Sequence, residues 1–219
     1  VADFDHWLRY LSAERFIREI LVEKLGIKYL IVGQGFLFGR DRIGSYAVLK
    51  KLSRIYGFKT VEIKKIKINN QIVSSTKIRA LIQKGKIAQA NQLLGRKFSL
   101  SGKVKQGSSR GRILGYPTAN IQPEQEIIPA GGVYVVLVRL NQQIYPGILN
   151  IGHCPTFPEK KKSSPTIEVH IFNFNHQIYG NRLEVCFIKK IRSEKRFISR
   201  QALAAQIRKD ELRARQILI

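Results

Sequence analysis

The chain has 219 residues, 44% hydrophobic and 25% charged, an ordinary globular profile with enough apolar content to bury the cores of one or two domains. No apolar run approaches the ~20 residues that span a bilayer, and Val1-Ala2-Asp3-Phe4-Asp5 is not the basic start of a signal peptide, so no membrane partner is expected. The formal charge of +24 is spread over both halves and attracts anions, from nucleotides to nucleic acid.

Nucleic acid is nevertheless not the expected partner. Aromatic residues are not interleaved with the basic runs as in single-strand binders, and no helix-turn-helix, zinc-finger or RNA-recognition signature is present. Cys154 and Cys186 are too few for a disulfide scaffold and lack zinc-site spacing; a reduced, cytoplasmic location is the simplest expectation. The chain starts at Val and contains no Met, so it is expected to be a fragment of something longer.

Residues 1–97 alternate helix and strand patterns, as α/β folds do. Ser12 is expected to cap a helix with Phe16, Ile17, Ile20, Leu21 and Leu25 on one face, ended by Gly26. Tyr29–Val32 reads as a buried parallel strand, followed by the glycines Gly33, Gly35 and Gly39. A helix over about 44–56 stops at Gly57; 58–61 and 63–68 read as strands. Ser74-Ser75-Thr76 opens a helix ended by Gly85, and 87–94 forms another ended by Gly95.

From Phe98 the pattern changes to short alternating strands with Gly and Pro between them. Strands are expected over 132–138, 144–149, 167–172 and 183–188, with a turn at Gln142-Gln143. Their close spacing points to a small antiparallel barrel. A helix is expected from Ser199 to Leu218 with Leu203, Ile207 and Leu212 on one side. The domain boundary is expected near 97/98. Lys160-Lys161-Lys162-Ser163-Ser164 reads as a solvated loop.

The run Gly111-Arg112-Ile113-Leu114-Gly115-Tyr116-Pro117-Thr118-Ala119-Asn120 carries the most chemistry. Glycines allow backbone to approach phosphate oxygens, and turned N–H groups make an anion-binding concavity. Pro117 fixes φ, so the residues after it project in a set direction. Thr118 and Asn120 offer hard oxygens of the kind Mg²⁺ accepts beside nucleotide phosphates. The same residues could also be a plain Gly/Pro hairpin with an Asn turn.

Glu168 stands between Ile167 and Val169 on a strand, where a pocket-facing carboxylate could take a proton from a substrate hydroxyl. It could equally be a strand glutamate facing water. His170 shares its face by period two and reads as a packing or hydrogen-bonding neighbour, not a catalyst. The loop Asn150-Ile151-Gly152-His153-Cys154-Pro155-Thr156-Phe157 could shape the same pocket or merely connect; a nucleophilic Cys154 is not expected, since no base stands at suitable spacing. In the first half, Ser74-Ser75-Thr76-x-x-Arg79 could hold a phosphate at a helix start with Arg79 as a clamp, or could be an N-cap.

Taken together these residues resemble the bacterial bifunctional riboflavin kinase/FAD synthetase family over nearly the whole chain. The carriers are Gly102-x-Val104-x-x-Gly107, the 110–121 run, Gly132-Val133-Tyr134, Asn150-Ile151-Gly152, Glu168-Val169-His170-Ile171-Phe172-x-Phe174, Tyr179-Gly180, Ile191-Arg192-x-Glu194-x-x-Phe197, Leu203, Gln206-Ile207 and Asp210. The resemblance implies a six-stranded antiparallel flavokinase barrel with a C-terminal helix over 98–219, preceded by part of a Rossmann-like adenylyltransferase module over 1–97. It implies ATP-dependent phosphorylation of riboflavin to FMN with Mg²⁺.

By that resemblance Glu168 is the general base, and Thr118 and Asn120 hold Mg²⁺. Gly107, Arg112, Gly115, Tyr116, Pro117, Thr118 and Asn120 bind ATP, and Arg192, Glu194 and Phe197 the flavin. In the first half, Val32-Gly33-x-x-Phe36-x-Phe38-Gly39, Gly44 and Ala90-x-x-Leu93-Leu94-Gly95-Arg96 match the adenylyltransferase module, with Ser74, Ser75, Thr76 and Arg79 as a nucleotide-binding remnant. The family's Gly-Phe-Asp-Gly and His-x-Gly-His elements are absent, and Gly35 departs from the family's acidic or Asn residue, so FAD synthesis is not expected of this chain as it stands. The alternative is a non-catalytic flavin- or nucleic-acid-binding protein built on the same frame. The sequence does not specify an oligomeric state.

Overall fold

A computed structural model describes residues 5–107, 111, 115–152 and 165–219. By packing the chain forms two compact units, Val1–Ile72 and Val73–Ile219.

In the first unit, α1 (His6–Tyr10) starts where the Asp5 carboxylate accepts the Leu8 N–H at 2.8 Å. Ser12 caps α2 (Ala13–Arg15) as expected, but the helix continues as a π-helix over Phe16–Lys24. The Leu25 N–H reaches back to the Ile20 carbonyl at 3.0 Å. This wider turn keeps Ile17 and Leu21 on the core side and carries Leu25 out of line with them, leaving it exposed.

Strands β1 (Tyr29–Gly33) and β2 (Lys59–Ile63) pair in parallel, with Ile31 opposite Val61. Leu30 and Val32 pack beneath α3 (Tyr46–Tyr56), which Ser45 caps and Gly57 ends at a φ of 71°. The expected burial of β1 holds for that face alone. Tyr29 and Ile31 are 63% exposed, because among the described residues this is a two-stranded sheet with its packing on one side. The strand expected over 63–68 is also shorter: pairing with β1 ends at Ile63, and only β3 (Lys67–Ile68) pairs again, with β4 (Gln71–Ile72) across a turn at Asn69 and Asn70.

The second unit begins with α4 (Ser75–Gln83) and α5 (Ile87–Leu94). Six antiparallel strands follow: β5 (Ser99–Lys105), β6 (Ala119–Pro123), β7 (Gly132–Leu140), β8 (Gln143–Gly152), β9 (Thr166–Ile171) and β10 (Arg182–Arg192). They close into a barrel in the order β10-β5-β6-β9-β8-β7. Alternation sorts the side chains: Leu100, Val104, Ile121, Val136, Leu149, Val169, Val185 and Phe187 fill the interior. The β7–β8 turn falls at Asn141 and Gln142, one residue before the expected position, because Asn141 takes the positive φ of 55°.

Ile82, Ile87 and Ala90 of the helix pair join the barrel core, and the Asn91 side chain bridges the Phe98 N–H and the Phe187 carbonyl at 2.8 and 2.9 Å. By this packing the two helices belong to the second unit, which begins at Val73. The last helix, α6 (Arg200–Leu218), lies on the outside of the barrel, where Ala214, Ile207 and Ile217 meet Val133, Val135, Ile148 and Phe172. Leu212, expected on the packed side, is 57% exposed, while Asp210 is buried. Cys154 and the loop at 160–164 lie outside the described residues.

Candidate active site

One register row crosses all six strands and brings the candidates Asn120, Glu168 and Arg192 into line. Lys105 on β5 stands opposite Asn120 on β6, Asn120 opposite Glu168 on β9, and Glu168 opposite Asn150 on β8. Asn150 in turn faces Val133 on β7, and Val133 faces Arg192 on β10. Directly paired residues share a sheet face with Cβ atoms roughly 4.5–5.5 Å apart. The Glu168 carboxylate is therefore flanked on its own face by two carboxamides.

From Asn120 to Arg192 this row lines a cavity of about 560 Å³. Val133, Ile148, Leu203 and Ile207 give it an apolar wall, and α6 forms one side. Gly107, Tyr116, Thr118, Asn120, Glu168, Arg192, Glu194 and Phe197 of the expected site residues all border it. A second cavity of about 280 Å³ is lined by Pro117, Ile178, Tyr179 and the edge-to-face pair Phe174 and His176. Thr118 belongs to both walls.

The glycines serve this geometry in an unexpected way. A Cβ on Gly107 would lie 2.0 Å from the Asn120 carboxamide nitrogen. A Cβ on Gly111 would lie 2.3 Å from the Tyr116 carbonyl oxygen and 3.1 Å from the Thr118 hydroxyl. Gly107 thus makes room for the Asn120 side chain, and Gly111 for the Tyr116 carbonyl and, less tightly, the Thr118 side chain. Gly115 borders neither cavity and holds the turn at a φ of 80°. Arg112 lies outside the described residues.

Arg192 is fixed by a buried partner. Its Nε donates to Asp210 at 2.8 Å, and its terminal nitrogen lies 2.8 Å from the same carboxylate oxygen. Gln206 donates to the other oxygen at 2.9 Å, and the guanidinium lies 5.7 Å from the Phe197 ring centre. This charge-assisted pair fixes where the guanidinium points. In the sequence Asp210 and Asn150 stand out only as parts of motifs. Asp210 could have been found as the acid on the packed side of a helix, a position an acid occupies only when paired.

Ser74, Ser75, Thr76 and Arg79 stand apart from both cavities, exposed at the start of α4, where the Ser74 hydroxyl accepts the Lys77 N–H at 3.3 Å. Among the described residues no group of three His, Cys, Asp or Glu could hold a metal. Thr118 and Asn120 are instead neutral hard-oxygen donors, a set that fits Mg²⁺ when substrate phosphates complete its shell. No described helix is long and apolar enough to cross a membrane.

The comparisons with known proteins agree with this fold. The riboflavin kinase (flavokinase) family model matches residues 94–218, and the FAD synthetase model matches residues 1–77. The bifunctional riboflavin kinase/FMN adenylyltransferase of Buchnera aphidicola subsp. Schizaphis graminum is 44% identical over 210 residues, 94% of this chain and 67% of that protein. That of Escherichia coli K12 is 37% identical over 214 residues, 97% of this chain and 67% of the relative. A crystal structure described as a macrolide-efflux protein from Streptococcus pneumoniae matches with a TM-score of 0.85 at 31% identity, over 97% of this chain and 68% of that one.

Proposed function

The chain belongs to the bifunctional riboflavin kinase/FMN adenylyltransferase family, and we propose on that footing that its second unit transfers the γ-phosphoryl group of ATP to the 5′-hydroxyl of riboflavin, giving FMN. The observation that carries this reading is the Asn120–Glu168 pair beside Thr118, the residue common to both cavities. A phosphoryl acceptor and a donor bound on either side of Thr118 would meet at the one carboxylate of that row.

The larger cavity, with its apolar wall, Phe197 and the fixed Arg192, suits the planar flavin. The smaller one, lined by aromatic rings, suits the nucleoside of ATP. Glu168 accepts the proton of the ribityl 5′-hydroxyl as its oxygen bonds to the γ-phosphorus and the bond to the β–γ bridging oxygen breaks. Thr118 and Asn120 hold Mg²⁺, which when bound neutralises charge on the phosphates. Asn150, on the other side of Glu168, orients the carboxylate.

Alternation and chain order make 98–219 the barrel portion of this kinase, and packing adds the helices from Ser75 onward. We assign no activity to the first unit. Two cysteines in 219 residues suit a reducing cytoplasm. Chromatography of riboflavin incubated with Mg²⁺-ATP and this chain tests the proposal: FMN is expected, and its absence with a folded chain would overturn it.

A further inference from the structure

We propose that His170 is a positioning residue whose ring Nδ1–H holds the Pro117 carbonyl and thereby sets the turn that presents Thr118. The proposal takes from the kinase reading only the task it gives Thr118.

Backbone pairing between β6 and β9 consists of two residue pairs, Ala119 with Val169 and Asn120 with Glu168. The next position toward the N-terminus of β6 is Thr118, and before it Pro117 has no N–H to donate. The His170 side chain takes over at this point: its Nδ1 lies 2.8 Å from the Pro117 carbonyl oxygen. A carbonyl oxygen only accepts, so Nδ1 carries the proton. Packing fixes the ring as well. It stands edge-on to Tyr116 at 5.4 Å between centres and tilted against Phe172 at 5.9 Å.

His170 shares the outer face of β9 with Glu168 and borders the same cavity. One side chain therefore ties the strand that carries the carboxylate to the turn that carries the hydroxyl.

Three substitutions in the full chain separate the bond from the packing. His170→Phe keeps a ring against Tyr116 and Phe172 but cannot donate; His170→Ala removes both; His170→Asn restores a donor near the Nδ1 position. Calorimetric binding of Mg²⁺-ADP and the KM for Mg²⁺-ATP are expected to weaken roughly five- to tenfold in the Phe and Ala variants, the span of one neutral hydrogen bond. The Asn variant is expected to stay within about twofold of wild type, and riboflavin binding to weaken less than Mg²⁺-ADP binding in the Phe and Ala variants. Long-range ¹⁵N correlation spectra should show Nδ1 of His170 protonated.

An unprotonated Nδ1, or wild-type Mg²⁺-ADP affinity in the Phe variant, would overturn the proposal. Equal weakening for both ligands in all three variants would also overturn it, since that is loss of structure. If wild type binds Mg²⁺-ADP but makes no FMN, the kinase reading fails while the spectrum and the binding series still judge His170.

Discussion

Asn120 on β6 and Glu168 on β9 are direct cross-strand partners, and Asn150 on β8 stands on the other side of Glu168. The barrel's register thus brings three segments, distant in the sequence, into one line on its outer face. Because β6 and β9 are joined by only two residue pairs, the geometry of this centre depends strongly on what surrounds it.

Asn120→Ala should weaken use of Mg²⁺-ATP more than riboflavin binding. Gly107→Ala should do the same without removing a polar group, because its new methyl would displace the Asn120 carboxamide. Steady-state kinetics with each substrate varied in turn is the check. Equal losses for both substrates would contradict the assignment of Asn120 to the phosphate side.

Asp210→Ala should act on the other side of the cavity. It leaves the Arg192 guanidinium without its buried counter-charge and should cost about 3–5 kcal/mol of stability. It should also raise the KM for riboflavin more than that for ATP, whereas Asp210→Asn, which keeps a hydrogen-bond acceptor, should do less of both. Urea unfolding and flavin titration measure the two effects. A riboflavin KM unchanged by Asp210→Ala would detach Arg192 from flavin binding.

A chain cut at residue 98 should be a poor barrel. It loses Ile82, Ile87 and Ala90 from the core, together with the Asn91 bridge between Phe98 and Phe187. Two buried isoleucines alone contribute about 3–6 kcal/mol. Residues 73–219 should therefore unfold at clearly higher urea than residues 98–219. Matching midpoints would show that α4 and α5 are not part of the barrel's fold.

Tyr134, packed edge-on to Phe187 with its hydroxyl donating to the Ala130 carbonyl, has its phenol pushed by burial up to about 12. The unfolded chain ionises this group near its ordinary value of about 10. Folding stability is thus unaffected below about pH 10 and falls as pH rises toward 12, by on the order of 2 kcal/mol. Denaturant titrations across that range should show a steeper alkaline loss for wild type than for Tyr134→Phe. Parallel losses in the two proteins would contradict the shift.

The barrel was legible because alternation is a local property: Val169 and Ile171 point in where Glu168 and His170 point out, and the sequence alone shows it. The row of paired residues was not, since register between β6 and β9 or β7 and β10 is set by closure of the barrel and no local pattern encodes it. The close approach of Gly107 to the Asn120 carboxamide and of Gly111 to the Tyr116 carbonyl is likewise set by the folded backbone and carries no local signal in the sequence. Leu212 is exposed because, at about 100° per residue, it falls roughly 180° around α6 from Leu203, whereas Asp210 follows Ile207 by three residues onto the packed face and meets Arg192 there. Tyr29 and Ile31 read as core because nothing in a short apolar run shows which of its faces is covered.

The most direct test of the account is FMN formation by wild type and by Glu168→Gln under saturating riboflavin and Mg²⁺-ATP, with binding of both ligands measured alongside. A fall of ~10²–10⁴ in turnover with affinities retained is the predicted result, the usual contribution of a general base. Turnover close to wild type in Glu168→Gln would contradict it and remove the carboxylate from the reaction.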